Sequence, residues 1–139
     1  MSQIVKDVMT GKVVSVPHYA AVDVAIDLML EKNVSGVPIV DEFGHLLGVI
    51  TEFDVLRLYG RDDNATSFAT CEQFMTRQVK TVQQDASVAV AANIFRASAI
   101  RRLLVLDGER LTGILSRRDI LRCIHHQRGT LTGTQMPSK

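Results

Sequence analysis

The tripeptide Val8-Met9-Thr10 returns as Phe74-Met75-Thr76 at an offset of 66 residues, and the positions around it follow. Val13 matches Val79, Val16 matches Val82, Ala20 matches Ala86, Val22 matches Val88, Ala25 matches Ala91 and Asp41 matches Asp107. After a one-residue deletion the offset becomes 65, pairing Gly48 with Gly113, Thr51 with Ser116, Asp54 with Asp119, Leu56 with Leu121 and Arg57 with Arg122. This duplication is a strong constraint, because whatever one copy folds into the other must match. The copies run over 5–58 and 71–124, joined by a mostly polar linker, 59–70, and followed by a mobile C-terminal tail, 125–139. Neither copy alone is long enough to bury much core, so the two are expected to pack as one pseudo-symmetric body with ligand-sized clefts between them.

Each copy has the same local grammar. Short β-branched runs, Val13 to Val16 and Val79 to Val82, precede helical patterns in which Val22, Ala25, Ile26 and Met29 fall at i, i+3, i+4 and i+7, as do Val88, Ala91, Ala92 and Phe95. Asp85 is the expected N-cap of the second of these helices. Two hairpins follow, Val37 to Val40 with Leu46 to Ile50 and Leu103 to Leu106 with Leu111 to Leu115, turning at Asp41 and Gly44 or at Asp107-Gly108. A last helix starts at Thr51 or Ser116, and the first of these is predicted to end near Tyr59-Gly60 with Gly60 as a left-handed cap. The fold class is therefore α/β, of the α+β type, with the order β-α-β-β-α present twice.

Composition excludes several classes. With 139 residues, 46% hydrophobic and 22% charged, the chain has the make-up of an ordinary globular domain. No apolar signal region or run of ~20 apolar residues is present, so no membrane association is expected and the protein reads as cytoplasmic. A net charge of +1 argues against a dedicated nucleic-acid binder. That charge is uneven: residues 1–66 carry a net −5 and residues 67–139 a net +6, so an anion would dock on the second half. Cys71 and Cys123 lack the spacing of a zinc site and read as packed or surface thiols.

The most informative motif is G-x-x-[ST]-x-x-D, present as Gly48-Val49-Ile50-Thr51-Glu52-Phe53-Asp54 and as Gly113-Ile114-Leu115-Ser116-Arg117-Arg118-Asp119. A hydroxyl followed three residues later by an acid is a helix capping box, contributing about 1 kcal/mol. The same carboxylate, on a first helical turn facing a cleft, can instead accept both hydroxyls of a ribose, at about 1.5–3 kcal/mol per charge-assisted bond. Arg101 and Arg102 can snorkel at the surface or pair with Asp107 or Glu109. Arg117, Arg118 and Arg122 are either cleft residues or a solvated face, with at least one pointing outward. His125-His126 reads as a solvated helix end rather than a metal site, and Met9 and Met75 as core. No nucleophile, Walker A or metalloprotease motif is present, so no enzymatic activity and no catalytic cofactor are expected.

Val8-Met9-Thr10, Asn33 to Asp41, Ile100 to Asp107 and both G-x-x-[ST]-x-x-D stretches together resemble a tandem pair of CBS domains (cystathionine β-synthase type), a Bateman module, over residues 1 to 125. Leu104, where the first copy has Pro38, and Tyr19, where the second has Asp85, are departures that touch packing more than chemistry. The resemblance implies two pseudo-symmetric β-α-β-β-α repeats packed through their sheets, two clefts for adenosine derivatives and a homodimer. By position, one cleft takes Thr10, Val14, Val34, Ser35, Arg101, Arg102, Ser116, Arg117 and Asp119, with Asp119 on the ribose, Val14 and Val34 at the adenine and the arginines on phosphate. The other takes Thr51, Asp54, Thr76, Lys80 and Ile100 and is expected to be weaker, because Ser35 and Gly36 stand where the arginines would and Glu52 replaces Arg117. The implied function is a stand-alone regulatory sensor of AMP, ADP or ATP acting on an effector protein in trans. The alternatives are a ligand-free dimerisation scaffold, or a binder of S-adenosylmethionine or NAD.

Overall fold

The structure, a computed structural model, describes residues 3–61 and 64–132, with side chains as far as Arg128. The first repeat contributes β1 (Val16–Pro17), α2 (Val22–Lys32), β2 (Gly36–Val40), β3 (Leu46–Thr51) and α3 (Glu52–Tyr59), preceded by a single turn, α1 (Val5–Val8). Two more single turns, α4 (Ala65–Phe68) and α5 (Cys71–Phe74), lead into β4 (Thr81–Gln83), α6 (Val88–Ala97), β5 (Arg102–Asp107), β6 (Arg110–Ser116) and α7 (Arg117–Thr132). The order β-α-β-β-α is thus present twice. It builds two three-stranded sheets, β1-β2-β3 and β4-β5-β6.

Within each sheet the pairing follows from the connections. A strand, a crossover helix and a second strand give a parallel pair, seen as Val16 opposite Ile39 and as Val82 opposite Val105. The short link from β2 to β3 gives an antiparallel ladder, Val37 opposite Ile50 and Ile39 opposite Gly48, with a bulge between Ile39 and Val40. The turn is held by Asp41, whose carboxylate accepts the N–H groups of Phe43 and His45 at 2.9 Å each, and by Gly44 at φ 82°. Burial opposes the charge on Asp41, but those N–H donors, with His45 and His18 nearby, outweigh it and hold its carboxyl below the usual value.

Contacts divide the chain into two compact units that do not follow the repeat order. Among the described residues one comprises 3–12, 81–107 and 112–132; the other comprises 13–61, 64–80 and 108–111. The core of the first gathers Val5, Val82, Ala91, Phe95, Leu103, Val105, Leu115 and Ile120, with Met9 packed against it. The core of the second gathers Val16, Ala25, Met29, Val37, Ile39, Ile50, Cys71 and Met75. The segment ahead of each repeat therefore packs on the other repeat's sheet. Thr10 exchanges both backbone hydrogen bonds with Ile114, at 2.9 Å each, and Thr76 does the same with Val49, at 2.7 and 2.9 Å. Glycine makes this approach possible. A Cβ on Gly48 would lie 2.6 Å from the Thr76 carbonyl oxygen, and one on Gly113 would lie 2.9 Å from that of Thr10 and overlap Met9 Sδ.

Several local expectations need correction. The N-cap of α6 is Ser87, not Asp85, because the apolar register starts at Val88 and the Ser87 hydroxyl is the group placed to accept the Val90 N–H, at 3.2 Å. Gly60 is right-handed at φ −72°, since the chain carries on into a tight turn in which the Arg61 N–H reaches the Leu58 carbonyl. The left-handed helix cap is instead Asn33, at φ 55° after α2, a residue type that tolerates this conformation. The first strand of each repeat begins later than its β-branched run, at Val16 and Thr81. Helix α4 lies within the expected linker, and α7 runs on to Thr132, into the segment read as a tail, because extending a formed helix is favourable even for polar residues. Residues 133–139 of that tail, and 62–63 of the linker, lie outside the described residues.

Two outcomes follow from this packing. Gly48→Ala is expected to destabilise the protein by about 1–3 kcal/mol, as overpacking against rigid backbone does, whereas Gly11→Ala, with nothing within 4 Å, is expected to be close to neutral in the same urea titration. Burial pushes the Cys71 thiol up to about 11, so Cys71 should resist a thiol reagent near neutral pH until the chain is unfolded, as counting labelled cysteines would show.

Candidate functional site

Both G-x-x-[ST]-x-x-D stretches fold as a strand end followed by a capped first helical turn. At α3 the Thr51 hydroxyl accepts the Asp54 N–H at 3.3 Å while the Asp54 carboxylate takes the Thr51 N–H at 2.8 Å. At α7 the Ser116 hydroxyl accepts the Asp119 N–H at 3.1 Å and the Asp119 carboxylate takes the Ser116 N–H at 2.7 Å. The capping function is thus real in both copies. What differs is how much of each carboxylate is left over.

An ionised carboxylate offers about four acceptor positions. Asp54 fills them: besides the Thr51 N–H it accepts the Thr51 hydroxyl at 3.0 Å, the Thr76 hydroxyl at 3.0 and 3.2 Å to its two oxygens, and the Arg57 guanidinium. Its side chain is 2% exposed. Among the described residues Asp119 accepts the Ser116 N–H and, at 2.9 Å, the Arg122 guanidinium, and its side chain is 12% exposed. The Thr10 hydroxyl, equivalent to that of Thr76, makes no bond to Asp119, so acceptor capacity for about two more donors remains.

That spare capacity opens onto a cavity of about 410 Å³, within the range typical of small-molecule sites. Thr10, Arg101, Arg102, Ser116, Arg117 and Asp119, all expected in one cleft, line it together. Ile114, Arg118 and Arg122 line it as well. Of the arginines on α7, Arg117, Arg118 and Arg122 all line the cavity. The i, i+3 spacing of Asp119 and Arg122 on a helix was a usable signal for their ion pair. No ion pair joins Arg101 or Arg102 to Asp107 or Glu109 among the described residues.

The remaining expected residues are distributed differently. Val14, Val34 and Ser35 belong to the other compact unit. There Val34 lines a second cavity of about 370 Å³ with Ile26, Met29, Leu30 and Leu56, and the Ser35 carbonyl accepts the Glu52 N–H at 3.0 Å. Thr51, Asp54 and Thr76 are brought together in that unit by the hydrogen bonds above, and Lys80 is exposed at its edge in sequence. Ile100 belongs to the first unit, half-buried against its core. No group of three or more His, Cys, Asp or Glu suited to a metal ion exists among the described residues, and none of their helices is long and apolar enough to cross a membrane.

The family model for the CBS domain matches residues 5–61 and 71–126, so the chain belongs to the CBS domain family and carries two such domains. It is 35% identical over 121 residues to a homoserine O-acetyltransferase of Methanococcoides burtonii, a match covering 86% of this chain but 24% of that protein. The chain thus spans about a quarter of that relative's length. Among solved structures it is similar to CBSX2 in complex with AMP, at 29% identity and a TM-score of 0.74, over 90% of this chain and 98% of that one. It is also similar to the CBS domain pair of protein MJ0100 in complex with 5′-methylthioadenosine and S-adenosyl-L-methionine, at 28% identity and a TM-score of 0.70, over 91% and 99% of the two chains.

The unequal environments of the two carboxylates predict unequal structural roles. Asp54→Asn, which leaves buried donors facing an amide, is expected to lower the unfolding free energy by about 1–3 kcal/mol, and Asp119→Asn by less, in paired urea titrations.

Proposed function

We propose that this chain is a regulatory module that binds an adenine nucleotide, AMP, ADP or ATP, in the cavity beside Asp119. The observation that carries the reading is the half-filled Asp119 carboxylate on the wall of an arginine-lined cavity. A ribose diol supplies two hydroxyl donors, and Asp119 has room for two. Arg101, Arg102 and Arg117 then take the phosphates, since a guanidinium fork matches phosphate oxygens. AMP in the CBSX2 complex and the two ligands of the MJ0100 pair share an adenosine, and that shared part is what the reading carries over. Acyl transfer is not carried over, because the match to the acetyltransferase covers only 24% of it. The second cavity, beside Val34, has no arginine on its lining. With Asp54 saturated, the Thr51, Asp54 and Thr76 cluster acts in this reading chiefly as a structural lock.

Binding regulates only if the ligand distinguishes two states of the protein. We place that distinction in a homodimer whose effector is acted on in trans. Exposed apolar residues recur at equivalent helical positions of the two repeats, Val24 and Val90, Leu56 and Leu121, Tyr59 and Ile124, which suits pairing with a second copy.

Calorimetric titration of refolded protein, freed of bound ligand, with AMP, ADP, ATP, S-adenosylmethionine and NAD tests the reading. Saturable binding of an adenine nucleotide is expected, weakened at least tenfold, about 1.4 kcal/mol, by Asp119→Ala and less by Asp54→Ala. Silence across the panel would overturn it in favour of a ligand-free scaffold.

A further inference from the structure

Five guanidiniums line the Asp119 cavity, and their distribution says more than that an anion binds. Arg122 is paired with Asp119, and its repeat equivalent Arg57 is paired with Asp54 in the same way. That arginine is part of the capped turn. The other four, Arg101, Arg102, Arg117 and Arg118, make no ion pair with any described carboxylate, and the matching positions of the first repeat are Ser35, Gly36, Glu52 and Phe53. The first repeat builds the same strand, cap and helix without a single one of these charges, so the fold does not require them.

Their placement works against stability. Arg117 and Arg118 are the first two residues of α7, where the helix dipole presents positive charge and favours acids, as Glu52 does at the start of α3. Four like charges on one wall also repel one another until an anion neutralises them. A monophosphate carries about −2 and leaves roughly half of that excess in place, whereas a triphosphate chain carries about −4.

We infer that the ligand of this cavity is a nucleoside polyphosphate, with a triphosphate or longer anionic chain, rather than a monophosphate or a phosphate-free adenosyl compound. The inference rests on the reading of the cavity as a nucleotide site and names the anionic class that site selects. Arg118, which that reading does not need for a single phosphate, is assigned to the distal end of the chain.

Titration with ATP, AMP and inorganic tripolyphosphate in magnesium-free buffer, at low and at raised salt, is the test. ATP is expected to bind at least roughly tenfold tighter than AMP and to lose more affinity as salt rises. Arg118→Gln is expected to bring the ATP-to-AMP ratio toward one, with a circular-dichroism melt of the free protein at or above that of the parent showing that the variant is folded. AMP binding as tightly as ATP would overturn the inference and leave the nucleotide reading standing. Tripolyphosphate binding as tightly as ATP, with AMP silent, would overturn the adenine reading and leave the polyanion selectivity supported. If neither ATP nor tripolyphosphate binds, both fail.

Discussion

The rest of the structure depends on a pair of backbone hydrogen bonds, made twice, between a Met-Thr segment and the strand that carries a motif glycine. Thr10 with Ile114 and Thr76 with Val49 are joined at 2.7–2.9 Å, closely enough that the neighbouring strand position has no space for a Cβ. This contact sets the edge of each sheet, buries Met75 and packs Met9 against its core, and brings a threonine to the end of the strand from which the capped helix starts. The motif G-x-x-[ST]-x-x-D therefore has three physical causes rather than one: glycine for the approach, the hydroxyl for the cap, and the acid for the cap and whatever else its carboxylate can still accept.

What the acid can still accept is where the two copies part. Around Asp54 the Thr76 hydroxyl is turned onto the carboxylate and the acid side chain is sealed in; around Asp119 the equivalent Thr10 hydroxyl makes no such bond and the acid side chain is 12% exposed against 2%. A buried carboxylate is tolerable only when its lone pairs are met, and Asp54 meets them internally. The difference is one of hydrogen-bond satisfaction rather than of backbone, since both copies keep the same cap geometry. Electrostatics reinforces it, with an acid at the start of α3 and two arginines at the start of α7.

Much of this was legible in the sequence because the chain states it twice. The duplicated apolar periods located the long helices and strands, and the motif located both acids with their caps. Boundaries were less legible where several residues could serve. Asp85 and Ser87 are both good caps, and only the apolar register starting at Val88 decides between them; Gly60 and Asn33 can both turn left-handed, and the path of the following chain decides. The single turns at Val5–Val8, Ala65–Phe68 and Cys71–Phe74 were not legible, because four residues carry no periodicity. Nor could the sequence tell a filled carboxylate from an open one, since Thr76 and Thr10 are the same residue type and only a rotamer and its surroundings separate them.

The exchange of segments between the repeats also imposes an order on synthesis. Residues 13–80 hold nearly all of one compact unit and can begin to associate soon after they are made. Residues 3–10 cannot: Val5 and Lys6 donate to the carbonyls of Ala86 and Gln84, and Gln3 Oε1 meets Cys123 Sγ across a separation of 120 residues. On the ribosome, this early segment must wait unpaired until almost the whole described chain has emerged. Closing so long a loop is slow, and it leaves Ile4, Val5, Val8 and Met9 without their core in the meantime. The same stitch that delivers Thr10 to the cavity thus ties completion of that cavity to one of the longest loop closures in the fold.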